Sequence, residues 1–443
     1  MLFLKPARSL LILALLVIVS LLTSDILPAR ASSFQPHAPI LISDNGGFTT
    51  ANGVTGGSGT ATDPYIIEGW EIASSPDYGI LVQGTVDGYG RPGTTAHFVI
   101  RNVYVHDSNS SSGHAAVDLI GVANGLLENM TVSKTKTAIG VYQSQNVTIA
   151  NNLVQSNGLG ISVGAYNKNI TVVGNKVLSN TYGGISVFYA SVVVTGNSVY
   201  NNGFGNPYGG YGIGTGRRCD CLIVDNTVMN NYGGLFMSSG PSPFHNNFIN
   251  NTVQAAAGCP YSGCVWTWDS GYPSGGNFWS DYAGVDNCSG PFQNVCPNPD
   301  GIGDTPYVMS SHPPWVLSSI DRFPLMKPFA PAVSGTVSFG PTTIVAESNG
   351  GYLTAFVGLP KGYNASNLIP SSIRLNGAIA LASGAPVSQS NEAGALVVRF
   401  NMTQVKALMP KPGNYVLQVS GNLLTSTNFR PFEATSTIRL LAP

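Results

Sequence analysis

Val147-Thr-Ile-Ala-Asn-Asn152-Leu-Val-Gln-Ser-Asn157 is followed by Ile170-Thr-Val-Val-Gly-Asn175-Lys-Val-Leu-Ser-Asn180 and by Val192-Val-Val-Thr-Gly-Asn197-Ser-Val-Tyr-Asn-Asn202. The phrase returns as Leu222-Ile-Val-Asp-Asn226-Thr-Val-Met-Asn-Asn231 and fades in Phe244-His-Asn246-Asn-Phe-Ile-Asn-Asn251. With Asn129, Asn152, Asn175, Asn197, Asn226 and Asn246 taken as one position, the steps are 23, 23, 22, 29 and 20 residues. Such steps are too short for domains and describe units that bury their apolar faces only against one another.

Within each unit the apolar residues alternate over short runs, as in Val147 and Ile149, Ile161 and Val163, Ile185 and Val187. That is the period of a strand, and the Gly and Asn that punctuate every run leave no room for a helix. Two or three strands per unit of about 22 residues make one coil of a parallel β-helix, and parallel connections default to the right hand. The fold class expected is therefore all-β: a right-handed parallel β-helix followed by a small β-sandwich. The recurring Asn sits where the chain bends, tolerates a left-handed backbone and can bond rung to rung through its amide. A second column of turn formers, Asn146, Asn169, Ser191 and Asp220, precedes the first by six residues. Both columns read as scaffold.

The chain has 443 residues, 53 Gly, 29 Pro, 9% charged residues and a formal net charge of -1. Near-neutral charge without a Lys/Arg cluster argues against nucleic acid or an anionic membrane as partner. A hydrophobic share of 43% separates this Gly-rich chain from a disordered one.

Residues 1–31 read as an export signal, with Lys5 and Arg8, an apolar run from Leu10 to Leu22, and Ala29-Arg30-Ala31 as cleavage site. The run is shorter than a membrane span needs, so no span remains after cleavage and the mature chain is expected to be secreted or at the cell surface. Residues 32–97 read as an N-terminal capping segment, 98–270 as coils, 271–330 as a closing segment and 331–443 as the sandwich. Loops bulge at Ser108 to His114 and at Gly203 to Gly210.

The segment Asn52 to Ile72, in which a Gly-rich loop leads into Pro64-Tyr-Ile-Ile-Glu-Gly-Trp70, resembles the opening of archaeal secreted β-helix proteins of the NosD-like, carbohydrate-binding and sugar-hydrolase (CASH) group. Gly275-Gly-Asn-Phe-Trp-Ser-Asp-Tyr282, Asp300-Gly-Ile-Gly-Asp-Thr-Pro-Tyr307 and Asp321-Arg-Phe-Pro-Leu-Met326 resemble the segment that closes many of them. The two motifs bracket the coils and specify the family, not an activity. The short alternating strands after Ala330 resemble C-terminal immunoglobulin-like modules of surface proteins. Those modules carry an Asp-rich loop where this chain has Ser390-Asn-Glu-Ala-Gly394.

Candidate sites are few. The aromatic residues Tyr142, Tyr166, Phe188 and Tyr189, with Tyr208 and Tyr211, gather near one turn and form a candidate carbohydrate-binding platform. The recurring Tyr182-Gly-Gly, Tyr208-Gly-Gly and Tyr232-Gly-Gly read as structural. Asn298, Asp300, Ile302 and Asp304, with Asp286, resemble part of a calcium loop, so Ca2+ is the one cofactor considered. That loop lacks the usual first ligand, where Cys296 stands, and the usual twelfth, where Tyr307 stands. Six cysteines suit an exported protein, and Cys259 with Cys264 and Cys288 with Cys296 would close local loops. Cys219-Asp-Cys221 is poorly spaced for a disulfide and, with His245, forms a candidate soft-metal site. The resemblance to NosD-like proteins invites copper there. Among eight Asn-x-Ser/Thr sequons, Asn109, Asn364 and Asn401 are the glycosylation candidates, whereas Asn129, Asn146 and Asn169 conflict with turn columns.

Glycoside hydrolysis needs paired carboxylates on one surface, and the coils hold only Asp107, Asp118, Glu128, Asp220, Asp225 and Asp269, scattered and without a His partner motif. No catalytic residue is assigned. The expected function is a non-catalytic protein binding polysaccharide or cell-envelope glycan. The alternatives are a polysaccharide lyase or hydrolase, and a NosD-like copper accessory protein. Oligomeric state is not legible.

Overall fold

A computed structural model describes residues 34–442 except 74–76, 88–91, 108–112, 207–209, 259–265, 310–318, 348–349, 364–366, 383–387, 390–394 and 426. The signal segment, Asn109, Tyr208, Cys259, Cys264, Asn364 and the loop Ser390 to Gly394 thus lie outside the described residues.

The coils form a right-handed parallel β-helix walled by three sheets of ten, eight and nine strands. One coil runs from Gln145–Ala150 in the eight-stranded sheet through Leu153–Gln155 in the ten-stranded sheet to Leu159–Val163 in the nine-stranded sheet. The next coil repeats the path one rung on, with Val147 paired to Ile170, Val154 to Val177 and Ile161 to Ile185. Inward positions stack like on like. Ile72, Val105, Val132, Val154, Val177, Val199 and Val228 follow one another in register and are fully buried. Each such side chain contributes about 1.5–3 kcal/mol of burial, which is why a chain this rich in Gly holds a single fold. The column ends in large side chains: Phe248 stacks on Trp279 at 4.5 Å and Trp279 on Tyr307 at 4.4 Å, plugging the far end of the tube.

Coiling starts earlier than the sequence suggested. Strands Gln35–Pro36, Ile40–Ile42, Tyr65–Glu68, Trp70–Ala73 and Ile80–Gln83 already belong to the three sheets, so residues 32–97 are coils as well as cap. The capping element proper is Val54–Gly56, which pairs antiparallel with Tyr65–Glu68 and covers the open edge.

The Asn columns are scaffold, with two corrections of detail. Asn152, Asn175, Asn197, Asn226 and Asn246 are buried, and each backbone N–H and side-chain amide donates to Oδ1 of the Asn one rung further on, at 2.9–3.1 Å. A second ladder joins Asn157, Asn180, Asn202, Asn231 and Asn251 in the same way. The left-handed residue is not the ladder Asn but the one before it: Asn151, Gly174, Gly196, Asp225 and His245 in the first ladder all have positive φ. Asn129 belongs to that left-handed set, since Met130 is the residue whose N–H reaches Asn152 Oδ1. Asn129, Asn146 and Asn169 are exposed, so their sequons do not conflict with the buried ladder.

Beyond the coils, Trp266–Thr267, Ser319–Asp321 and Tyr307–Met309 form a small sheet against the tube's end. Residues from 331 on form two sheets over one core that includes Leu353, Val398, Phe400, Val419 and Leu423. Its long hairpin, Gly413–Leu424 with Phe429–Leu441, exceeds the short strands read from the sequence, and a helix at Met402–Ala407 was not anticipated. Asn401 caps that helix, its side chain accepting the N–H groups of Thr403 and Gln404. The two parts meet at a cluster of Ile302, Leu325, Phe329, Ile369 and Phe429. Asn247 fastens them, donating to Phe329 O and accepting its N–H.

Candidate functional site

The nine-stranded sheet turns the most chemistry outward. Ile139, Val141, Ile161, Val163, Ile185 and Val187 point into the core, so Gly140, Tyr142, Ser162, Gly164, Ser186 and Phe188 face out. Glycine is required where an aromatic ring crosses a rung. A Cβ at Gly164 would fall 2.2 Å from Tyr142 Cδ1, and one at Gly233 would fall 2.3 Å from Tyr211 Cδ1. Tyr142 and Tyr211 are therefore half-buried rings laid over glycine, and burial raises both phenol pKa values. Tyr142 donates its hydroxyl to Ser162 Oγ at 3.0 Å.

The four described tyrosines of the candidate platform do not form one row. Tyr142, Tyr166 and Tyr189 lie at the turn that leaves this sheet, whereas Tyr211 opens a strand at its opposite edge. Tyr166 and Tyr189 occupy adjacent rungs, the N–H of Tyr166 donating to Tyr189 O at 2.8 Å. Their side chains are 73% and 39% exposed, and both have positive φ. At the other edge Tyr182, Phe204 and Tyr232 are exposed, with Phe204 edge-on to Tyr232 at 6.3 Å. The Tyr-Gly-Gly segments thus present surface rings as well as structure. The signal for them is a Tyr just after a buried ladder Asn, as in Asn231-Tyr232, where the chain has turned outward.

One carboxylate stands on this outer face. Asp118 is buried under His114, whose Nδ1 bonds its Oδ2 at 2.8 Å, while Oδ1 has no hydrogen-bond partner among the described residues. Burial outweighs the histidine and raises its pKa. The remaining acids of the coils are dispersed: Asp107 pairs with His106, Asp225 lies beside His245, and Asp269 forms a bridge to Arg322 at 2.7 Å.

The calcium-like loop is held by its own backbone. Asp286 accepts the N–H groups of Asp300 and Gly301, and Asp304 those of Asn287 and Cys288. Asp300 accepts the N–H of Ile302, and burial pushes its carboxyl up to about 6. Asn298 donates to Ser289, while burial and then the charge of Asp304 raise the pKa of Asp286, whose own charge adds to burial in raising that of Asp300. Among the described residues no three His, Cys, Asp or Glu side chains gather where one metal ion would sit. Asp300 with Ile302 makes an Asx turn, and Asp286 and Asp304 tie the two ends of the loop together across 14 to 17 residues.

The cysteines differ from expectation at one pair. Cys219 is joined to Cys221 despite the short spacing, and Cys288 to Cys296 as the sequence suggested. His245 does not face the cysteines. It stacks on Phe329 at 4.0 Å, donates from Nε2 to Ser274 O at 2.9 Å, and burial pushes its pKa down to about 4.

The closing motif is structural residue by residue. Asn277 takes the last rung of the first ladder, Trp279 plugs the core, and Ser280 accepts the N–H of Asn250 and the amide of Gln254. Tyr282 bonds Thr305 O, with Gly303 beneath its ring.

A family model described as "Periplasmic copper-binding protein (NosD)" matches residues 63–284, half the chain. No curated protein matches. Among solved structures, the enzymatically active domain of tailspike protein 2 from bacteriophage CBA120 is 12% identical, with a TM-score of 0.31, over 84% of this chain and 58% of that one. The full-length tailspike protein 2 of an Escherichia coli O157:H7 bacteriophage is 12% identical, with a TM-score of 0.34, over 92% and 59%. The chain thus spans less than two thirds of either tailspike chain. No described helix is long and apolar enough to cross a membrane. With its stacked parallel sheets and a family match running from the opening strand to the closing motif, the chain belongs to the NosD family.

Proposed function

We propose that this chain is an extracytoplasmic protein, secreted or held at the cell surface, that binds an extended glycan along the aromatic flank where the chain leaves the nine-stranded sheet, without cleaving it. The observation that carries this reading is the exposure of Tyr166 and Tyr189 on adjacent rungs, 73% and 39%. Exposed aromatic rings on a rigid wall offer flat faces to sugar rings and hydroxyls to their edges, at little cost in ordering. Binding without cleavage fits the acids: Asp118 is tied to His114, and Asp107, Asp225 and Asp269 lie with His106, His245 and Arg322, so these four carboxylates form no facing pair. The test is retention of the mature chain on a panel of immobilised polysaccharides, with the supernatant assayed for reducing ends and unsaturated uronates. Retention without released product is expected; product release makes the protein a hydrolase or lyase.

A second reading, copper binding, comes from the family's description and from a pair of soft donors set together in the coils, Cys219 and Cys221. Metal analysis of the reduced protein after copper loading decides it. Less than one bound copper per chain removes it.

A further inference from the structure

The opposite edge of the same sheet carries a regular two-rung pattern. Thr137 pairs with Leu159, Leu159 with Gly183 and Tyr211 with Gly233, while Ile185 pairs with Ile213. The residues one place earlier, Lys136, Gly158, Tyr182, Gly210 and Tyr232, therefore follow one another rung by rung. A side chain with a long reach stands at every second rung, and glycine lies between. Gly158 leaves room for a ring, since a Cβ there would sit 3.3 Å from Tyr182 Cδ2, whereas Gly210 lets the backbone close up, a Cβ there meeting the main-chain oxygen of Tyr182 at 2.1 Å. Tyr182 is 53% exposed, Tyr232 38% and Phe204, which flanks Tyr232, 61%. Lys136 is exposed, and no acidic residue occupies the column.

Rungs repeat at about 4.8 Å, so the pattern repeats at about 10 Å. An extended β-linked polysaccharide turns each sugar over relative to the last, so like faces recur at every second sugar with nearly that spacing. We propose that Lys136, Tyr182 and Tyr232 form a track for an acidic polysaccharide with a disaccharide repeat, lying parallel to the helix axis. The two rings stack on like-facing sugars, Phe204 walls the end beside Tyr232, and the Lys136 ammonium pairs with a carboxylate of the repeat. The inference rests on the glycan-binding reading and adds a second track and a charge preference to it.

The experiment uses the full mature chain and tetra- to decasaccharides of alternating β-linked uronate and N-acetylhexosamine, with neutral cello-oligosaccharides of matching length. Affinity for the acidic series is expected to rise until the oligosaccharide spans Lys136 to Tyr232, about 19 Å, and then to level off. Tyr182→Ala and Tyr232→Ala are each expected to weaken it about tenfold. Lys136→Gln should abolish both the preference for the acidic series and its salt dependence. Tyr166→Ala/Tyr189→Ala should leave acidic binding within twofold. Failure of the intact chain to bind the acidic series, or binding by the Tyr182→Ala/Tyr232→Ala variant within twofold of the parent, overturns the track. If the parent then still binds other glycans and loses them in Tyr166→Ala/Tyr189→Ala, the proposed function stands without it. If no glycan binds at all, both fall.

Discussion

Asp321 Oδ2 accepts the backbone N–H of Asn277 at 2.7 Å, and with that bond the first asparagine ladder ends. Every earlier rung both accepts and donates, so a chain of amides needs a terminal acceptor. Asp321 also takes the indole N–H of Trp279 at 2.8 Å and the N–H of Phe323 at 3.1 Å. With the side-chain amide of Asn277 at 3.5 Å, four donors converge on one fully buried carboxyl, and burial still pushes its pKa up to about 7.

That shift fixes a pH dependence. The folded pKa lies above the ordinary 3.8, so the folded chain keeps a proton that the unfolded chain has released. The resulting stability is full below about pH 4, falls as pH rises to about 7 and is constant above, for a change on the order of 4 kcal/mol. Thermal midpoints of parent and Asp321→Asn between pH 4 and 8 should differ by an amount that changes across this window. A constant difference contradicts the assignment.

His245 is expected to act with the opposite sign. Its pKa is pushed from 6.5 to about 4 by burial against Phe329, so the unfolded chain binds the proton first and stability is lost as pH falls through that interval. Because His245 packs on Phe329, where the coils meet the sandwich, acid should loosen this junction first. Protection of the Phe329 and Ala330 amides, taken relative to the intrinsic exchange rate at each pH, should fall between pH 6.5 and 4 in the parent and not in His245→Asn.

Two asparagines that look alike in sequence should behave differently. Asn197→Ala removes a buried amide with bonds to Asn226, Val172 O and Thr195 O, and orphans the N–H of Asn175, for a loss of about 2–4 kcal/mol by chemical denaturation. Asn129→Gly keeps the left-handed backbone at an exposed position and should change stability by less than about 0.5 kcal/mol.

Period, sheet composition and core were legible because alternation of Val and Ile with Asn and Gly is a direct record of which residues point inward. The register of one step was not. Asn129 closes Leu126-Leu-Glu-Asn and Asn152 closes Ile149-Ala-Asn-Asn, and only pairing distinguishes the exposed left-handed Asn from the buried one. The tyrosines were found as residue types and misplaced as a group, because Tyr142 lies flat over Gly164, one rung and 22 positions away, whereas Tyr166 has Tyr189 on the adjacent rung and stands out. The Asp286 to Asp304 loop matched a cation motif in composition, whereas its carboxylates satisfy N–H groups of their own loop. Cys219 and Cys221 were judged by spacing alone, and strand geometry brings their sulfurs together.

The central claim is that the aromatic flank of the nine-stranded sheet holds a glycan. The direct measurement is calorimetric titration of the mature chain and of its Tyr166→Ala/Tyr189→Ala variant with the neutral polysaccharide the parent retains best. Loss of two exposed stacking rings should weaken binding about tenfold to a hundredfold, with the thermal midpoint unchanged within about 2 °C. Equal affinity in parent and in a variant that also lacks Tyr182 and Tyr232 would contradict the account.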